Sequence, residues 1–546
     1  METLISEIER AINKFWDSES LSNYKGRTLT YKEVAEQIFR YHSIFNFLKI
    51  KEGDKIALLG KNSLNWGVGY LSAITNHSVI VPILPDFHDD DISHIIKHSQ
   101  AKFVFVDSNY YDRLDESEFK DVIAFYILDK NKLILTSEKK NYLEQIEQIY
   151  NKNFKDKIKN KNVHFEEINP EKLAVLLYTS GTSGFSKGVL LPHRSLYFNI
   201  KYAQKNMPLY AGNAILSFLP LAHAYGCAFE FLFPFTIGVH ITFLGKVPSP
   251  KIILQAFARV KPHLILSVPL IIEKIYQKQI KPTLDTPKMK FLMKISFLKK
   301  AVYKRINEKL TESFGGNFRE IVIGGAALNK EVEEFLTAIK FKFTTGYGMS
   351  ECGPLISYVA WNKRNIGSVG KVVDELKIKI DSPNPKTGVG EIMVKGSHVM
   401  VGYFKNPVVT ENTLTDDNWL KTGDLGYIDD GNQIHIKGRS KNIILGPSGQ
   451  NIFPEEIEAK LNNRACISES LVYEKDSKII ALVYPDYNYA DSKNIHEENI
   501  TKLIQKNREI VNKTLPAFSK ISSIKIISSE FEKTPTKKIK RYLYTK

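Results

Sequence analysis

The chain has little cysteine, no long apolar run and no nucleic-acid-binding module, and each shortage removes a class of function. Its 546 residues hold three cysteines, Cys227, Cys352 and Cys466, with no CxxC pair. That spacing supports neither a disulfide framework nor a zinc site, and each cysteine is most simply a small buried hydrophobe. No run approaches the roughly 18 uncharged apolar residues that a membrane helix needs. The first ten residues are acidic and helical in pattern rather than signal-like, so a soluble, cytoplasmic protein is expected. The formal charge of +16 asks for anionic partners, since a positive surface attracts nucleotides, nucleic acid and anionic lipid alike. Aromatic residues do not interleave regularly with the lysines, so no nucleic-acid partner is expected. Much of the excess is Lys in Lys/Asn-rich stretches such as 151–162 and reads as solvated surface. Peripheral contact of this basic surface with the inner face of a membrane is the remaining expectation.

What is present begins with residues 173–178, a short apolar run that stops abruptly in Thr179, Ser180, Gly181, Thr182, Ser183, Gly184, Phe185, Ser186, Lys187 and Gly188. This pattern predicts a buried strand feeding a loop. The glycines permit successive N–H groups to face one concavity, the hydroxyls add donors and Lys187 adds charge, which together suit phosphate. It is not a Walker A loop, because Lys187 lies between Ser186 and Gly188 and residues 189–191 read as another strand.

The loop resembles the phosphate loop of the adenylate-forming superfamily of acyl-CoA synthetases, peptide-synthetase adenylation domains and luciferases, with Ser186 where Pro is usual. Later motifs fall in the family's order as far as Arg541. The resemblance implies an α/β fold: a large N-terminal AMP-binding domain, residues 1–439, of two α/β subdomains plus a small β-barrel. A small mobile α+β C-terminal domain, residues 440–546, follows. The length alone already calls for two or more domains.

The alternation of predicted strands at 55–59, 78–83 and 103–107 with helices at 66–74 and 91–99 is the rhythm of a mostly parallel sheet. Residues 1–50 read as helix-rich, with a helix opening near Leu29. His88, Asp89, Asp90 and Asp91 are expected to cap a helix and complement its dipole rather than bind metal. His223 follows a predicted strand at 214–219, and the resemblance puts it beside the acyl carboxylate. Residues 288–309 mix apolar side chains with many lysines. Such a helix can lie on a membrane, but the expectation here is a surface helix with its apolar face on the core.

Gly324, Gly325 and Ala326 end a strand and resemble the segment along the adenine. Gly346, Tyr347, Gly348, Met349, Ser350 and Glu351 resemble the stretch whose Tyr stacks on adenine and whose Glu binds Mg²⁺, with Thr182 a second metal ligand. From Gly367 the pattern turns to short strands, the predicted small barrel. In the resemblance Asp424 and Arg439 hold the ribose, chemistry that a carboxylate acceptor and a guanidinium donor can supply. Lys441 aligns with the hinge, and Gly446, Ser448 and Gly449 with the lining of a CoA tunnel. Lys538 aligns with the catalytic lysine, although Lys537 stands where that motif has Gly, so either lysine is a candidate.

The resemblance implies a ligase that uses ATP, Mg²⁺ and CoA as co-substrate, with Lys538, Glu351, Lys187 and His223 as the catalytic set. The absence of a nucleophile triad agrees, because none is required. Amino-acid-activating relatives carry an Asp near 229–233 for the substrate ammonium. None stands there, and Glu230 is the alternative carboxylate. A long-chain fatty acid is therefore the expected substrate, with transfer to an acyl-carrier protein or activation of another carboxylic acid as rivals, and a silent acyl- or nucleotide-binding relative as a third. A monomer or homodimer is expected.

Overall fold

The computed structural model describes residues 2–136, 142–159, 161–179, 187–246, 249–445, 451–534 and 538–545. Its largest sheet orders eight strands as Gly402–Tyr403, Lys187–Pro192, Leu173–Thr179, Val79–Ile83, Lys55–Leu59, Ala101–Val106, Ala124–Ile127 and Lys132–Leu135. The five middle strands run parallel and the flanking ones antiparallel. Helices cover the parallel part, which is why Val79–Ile83 is buried at every residue instead of alternating.

A second sheet orders Ala214–Ser217, His240–Phe243, Glu19–Asn23 and Thr28–Thr30, and a third is the parallel set Leu264–Ser267, Glu320–Ile323 and Phe343–Thr345. The helix-rich reading of residues 1–50 missed the hairpin at 19–30. Glu19–Asn23 contains no β-branched or aromatic residue, and its pairing with His240–Phe243 overrides that weak propensity. The region after Gly346 is antiparallel: Tyr347–Gly348, Leu355–Tyr358 and Lys371–Val372 form one sheet. Leu376–Asp381, Gly390–Gly396, Leu420–Ile428 and Ile434–Arg439 form another.

One continuous apolar cluster runs from Leu4 to Ile434, and a separate one gathers residues from Ile444 to Ile524 around the sheet Ile467–Lys475, Lys478–Pro485 and Ser523–Ile526. All three cysteines are buried and free, as expected. Asp89, Asp90 and Asp91 lie in the first turn of Asp89–Ser99, where they complement its dipole, but His88 at the cap makes no side-chain cap hydrogen bond.

The 288–309 expectation is corrected. The stretch is two helices, Pro287–Leu292 and Ser296–Ser313, joined by a break at 293–295. The break resets the helical phase, so its apolar residues do not form one core-facing stripe. Phe291 is 65% exposed, Ile295 42% and Phe297 78%.

Candidate active site

The phosphate-loop motif sits at the mouth of a hairpin in the large sheet. Thr179 and Lys187 are direct partners across Leu173–Thr179 and Lys187–Pro192. Ser180, Gly181, Thr182, Ser183 and Gly184 lie outside the described residues, as do Gly446, Ser448, Gly449 and Lys537. The Lys187 ammonium lies 5.1 Å from the centroid of the Tyr403 ring. The Tyr403 hydroxyl in turn donates to Glu351 Oε1 at 2.8 Å. Tyr403 thus links loop lysine and motif glutamate, a role that sequence reading missed. Its signal was the run 402–407, which resembles the family's sequence there but gives the tyrosine no role.

Glu351 stands on the turn Ser350–Cys352, after a bend that only glycine tolerates. A Cβ at Gly348 would lie 2.1 Å from the Pro354 carbonyl oxygen. Ser350 beneath it is buried and Met349 half-buried. With Oε1 held by Tyr403, the other Glu351 oxygen remains for a hard cation. Among the described residues no group of three or more His, Cys, Asp or Glu could hold a metal. A Mg²⁺ here would therefore take most of its oxygens from phosphate and water, which is its usual habit. The donor set fits that ion.

The opposite wall is built from neighbouring strands. Asp424 and Arg439 pair directly across Leu420–Ile428 and Ile434–Arg439, and Arg439 Nε donates to Asp424 Oδ1 at 2.7 Å. The Tyr347 hydroxyl donates to Oδ2, also at 2.7 Å. Both carboxylate oxygens are therefore engaged. Burial pushes the Asp424 pKa above the usual carboxylate range, against the pull of Arg439, Tyr347 and Lys538. A buried carboxylate paired this closely stays the acceptor of the cluster.

Three lysines come in from distant segments, Lys187 and Lys538 within reach of the Glu351 charge and Lys441 within reach of Lys187. Burial, then the nearby Lys441 charge, lowers the Lys187 pKa, with Glu351 opposing. Burial, then Arg439, lowers that of Lys538, with Asp424 and Glu351 opposing. Lys538 keeps solvent-accessible surface although protein closes around it, and its segment is held by a backbone bond from Thr534 N to the Lys538 carbonyl at 2.7 Å. None of Lys187, Lys441 and Lys538 forms an ion pair within 4.0 Å among the described residues. Sequence reading gave Lys441 only a hinge role, whereas its cation is felt at Lys187.

Ser440–Asn442 is a single turn between the two apolar clusters. Asn442 Nδ2 donates to Glu455 Oε1 at 2.6 Å, and Asn329 Nδ2 donates across to Asn463 Oδ1. The first bond lies within the C-terminal part; the second, with the Lys437–Glu456 ion pair at 3.2 Å, joins that part to the rest.

The remaining wall carries His223, which caps the short helix Ala224–Gly226 by accepting from Tyr225 N at Nδ1, 3.3 Å away. Burial, then the Lys538 charge, pushes its pKa down to about 4. The ring is neutral at pH 7 with its proton on Nε2. Tyr225 donates to the Val322 carbonyl, and its ring sits so near Gly324 that a Cβ there would meet it at 3.2 Å. Gly325 and Ala326 are exposed beside it, and Gly346 N donates to the Ile323 carbonyl. Glu230 is corrected as a substrate group. It is fully buried, and its Oε2 accepts from Phe218 N and Leu219 N at 2.9 Å each. It caps a strand end.

This geometry belongs to a known class. The chain is a member of the AMP-binding enzyme family, whose model matches residues 8–404. It is 28% identical to the chloroplastic long-chain-fatty-acid–[acyl-carrier-protein] ligase AEE15 of Arabidopsis thaliana, over 94% of this chain and 80% of that protein. It is 26% identical to a 4-coumarate–CoA ligase of Vanilla planifolia, over 89% and 86%. The crystal structure of the anthranilate CoA ligase AuaEII with anthranoyl-AMP superposes with a TM-score of 0.77 at 17% identity, covering 99% of this chain and 96% of that one. The fold is that of the adenylate-forming CoA ligases.

Proposed function

We propose that this AMP-binding enzyme is an acid–thiol ligase that activates a long-chain fatty acid as acyl-AMP and transfers the acyl group to CoA, yielding acyl-CoA, AMP and pyrophosphate. The observation that carries the reading is the set of cations Lys187, Lys441 and Lys538, none of which has an ion-pair partner within 4.0 Å among the described residues. Besides burial, the Lys441 charge lowers the Lys187 pKa and the Arg439 charge lowers that of Lys538, so the two lysines carry repulsion that protein groups do not relieve. A nucleotide polyphosphate relieves that repulsion, and a neutral substrate would not.

In the first step a carboxylate oxygen of the acid attacks the α-phosphorus of ATP and the bond to the β-phosphate oxygen breaks, releasing pyrophosphate. Lys538 offsets the charge shared by carboxylate and α-phosphate, and Lys187 with residues 179–184 holds the β- and γ-phosphates. Glu351 and Thr182 would hold Mg²⁺, which when bound neutralises phosphate charge. The Tyr347 ring and residues 324–326 border the adenine, Asp424 and Arg439 the ribose, and His223 donates from Nε2 to the acyl oxygen. In the second step the CoA sulfur attacks the acyl carbonyl, the C–O bond to AMP breaks, and the thiol proton passes to solvent.

Lys538 serves the first step and obstructs the second. The proposal therefore includes rotation of residues 440–546 about Lys441 relative to residues 1–439, with Gly446, Ser448 and Gly449 then bordering CoA. The separate apolar clusters, joined through the single turn Ser440–Asn442, support a unit that swings. An apolar acid is supported by Tyr225 near Gly324 and Val268 near Gly325, and by the full burial of Glu230, which disfavours its charged form as a partner for an ammonium. Transfer to a carrier protein is the second reading, favoured by the extent of the AEE15 match. ATP–pyrophosphate exchange across a panel of carboxylic acids, followed by product analysis with CoA or carrier protein, tests both. Exchange driven only by short or aromatic acids would refute the chain-length assignment.

A further inference from the structure

Residues 277–309 stand off the core: none of them is buried. The inner contacts come from partly buried Ile280, Leu284, Tyr303 and Ile306. On the helix Ser296–Ser313, Phe297 lies on the side opposite Ile306 by helical spacing, so one face packs inward and the other carries a phenylalanine into solvent. Phe291 and Ile295, on the preceding helix and the break, are exposed as well. Water-exposed aromatic side chains grouped this way are costly for a soluble surface and mark contact sites.

The charge around them has one sign. Between residues 270 and 309 there are eleven Lys and Arg against three Asp and Glu. Lys288, Lys294 and Lys300 form no ion pair within 4.0 Å among the described residues, whereas Lys290 reaches Asp285. Lysines alone would be solvated surface, and phenylalanines alone would suit any apolar partner. Together they match a surface that is anionic at its face and apolar just beneath. The segment also leaves the site directly: Pro269–Ile275 begins one residue after Val268, whose side chain lies 3.8 Å from a Cβ built at Gly325.

We propose that the paired helices Pro287–Leu292 and Ser296–Ser313 dock the enzyme on an anionic lipid bilayer, with Phe291 and Phe297 inserted below the headgroups and the surrounding lysines on the phosphates. The docking does not rest on the acyl-chain reading above, because it is measured with no substrate present.

The test is co-sedimentation of the full chain with vesicles of phosphatidylcholine alone or mixed with phosphatidylglycerol. Binding is expected only to the mixed vesicles, and added salt weakens it. Phe291→Ser/Phe297→Ser lowers it about tenfold or more, and Lys294→Gln/Lys300→Gln roughly fivefold per lysine. Both variants keep wild-type thermal stability and pyrophosphate exchange with a short soluble acid. Trp fluorescence of Phe297→Trp is quenched by brominated lipid if that side chain inserts. Equal binding to both vesicle types, retention of binding by both variants, or no quenching overturns the proposal. So does a dimer that Phe291→Ser/Phe297→Ser dissociates, or a polyanionic RNA or acidic protein bound through these residues when vesicles are not.

Discussion

The two walls of the cleft are built on opposite plans. On one, Asp424 has both oxygens occupied by Arg439 and Tyr347; Asp424 and Arg439 hang on paired strands, and Tyr347 reaches in from a neighbouring sheet. On the other, Lys187, Lys441 and Lys538 come from a hairpin mouth, a turn and a C-terminal segment, and none has an anionic partner within 4.0 Å among the described residues. The first wall is organised during folding and costs nothing further when ligand arrives. The second is kept electrostatically unsatisfied, and only a bound polyanion completes it. Positioning belongs to the first and charge stabilisation to the second, so damage to each should have a different kinetic signature.

The largest effect is expected on the unsatisfied wall. Lys538→Ala should lower acyl-AMP formation by about a hundredfold to a thousandfold, while conversion of supplied acyl-AMP plus CoA is spared. Both half-reactions are measured by pyrophosphate exchange and thioester formation, and equal loss of the two would remove the division of labour. If Lys537→Ala gives the defect instead, the motif is shifted by one residue. Lys441→Pro should do the reverse, sparing adenylation and blocking thioester formation, because it fixes a torsion at the turn.

Next comes the organised wall. Asp424→Ala leaves the Tyr347 hydroxyl and Arg439 without their acceptor and should raise the KM for ATP by roughly tenfold to a hundredfold, the scale of about 1–3 kcal/mol. The effect should fall on KM more than on kcat. A pure kcat loss would mean that Asp424 touches the reacting atoms rather than the sugar.

The comparison also predicts a pH dependence. Lys187 and Lys538 have pKa values lowered in the folded protein from an ordinary value near 10.5. Between those lowered values and 10.5 the unfolded chain binds more protons, so these lysines cost stability at neutral pH and the cost fades as pH rises through that window. ATP has the opposite linkage. It favours the charged ammonium groups, so its affinity should fall over the same window with proton uptake on binding. Calorimetry in buffers of different ionisation heat measures that uptake, and Lys538→Met should reduce it.

Much of the site was legible because its motifs are constrained by backbone as well as chemistry. Gly348 must be glycine to clear Pro354, and Asp424 and Arg439 sit fifteen residues apart because a hairpin brings them opposite each other. Parallel strands such as Val79–Ile83 were legible from apolar continuity alone. Tertiary decisions were not. Glu19–Asn23 is a strand because a distant strand pairs with it, and Glu230 looked available until its two backbone donors appeared. Phe291 and Phe297 fit a core-facing pattern that a three-residue break disrupts. In each case the deciding partner is far away in sequence or depends on helical phase.

The smallest effect is expected where the two walls' logic meets, at Tyr403. Its hydroxyl steadies Glu351 and its ring lies beneath Lys187. Tyr403→Phe keeps the ring and its attraction for the ammonium but removes one hydrogen bond to the carboxylate, a change of about 0.5–1.5 kcal/mol. Since a second contact orients the ligand rather than forming it, the Mg²⁺ concentration for half-maximal exchange should rise only about twofold to tenfold. Glu351→Gln removes the ligand charge itself and should shift it much further. Tyr403→Leu adds loss of the ring and should also raise the KM for ATP, because Lys187 loses its support. If Tyr403→Phe changes the KM for ATP and leaves the Mg²⁺ dependence alone, the hydroxyl serves the lysine side of the cleft instead of the glutamate.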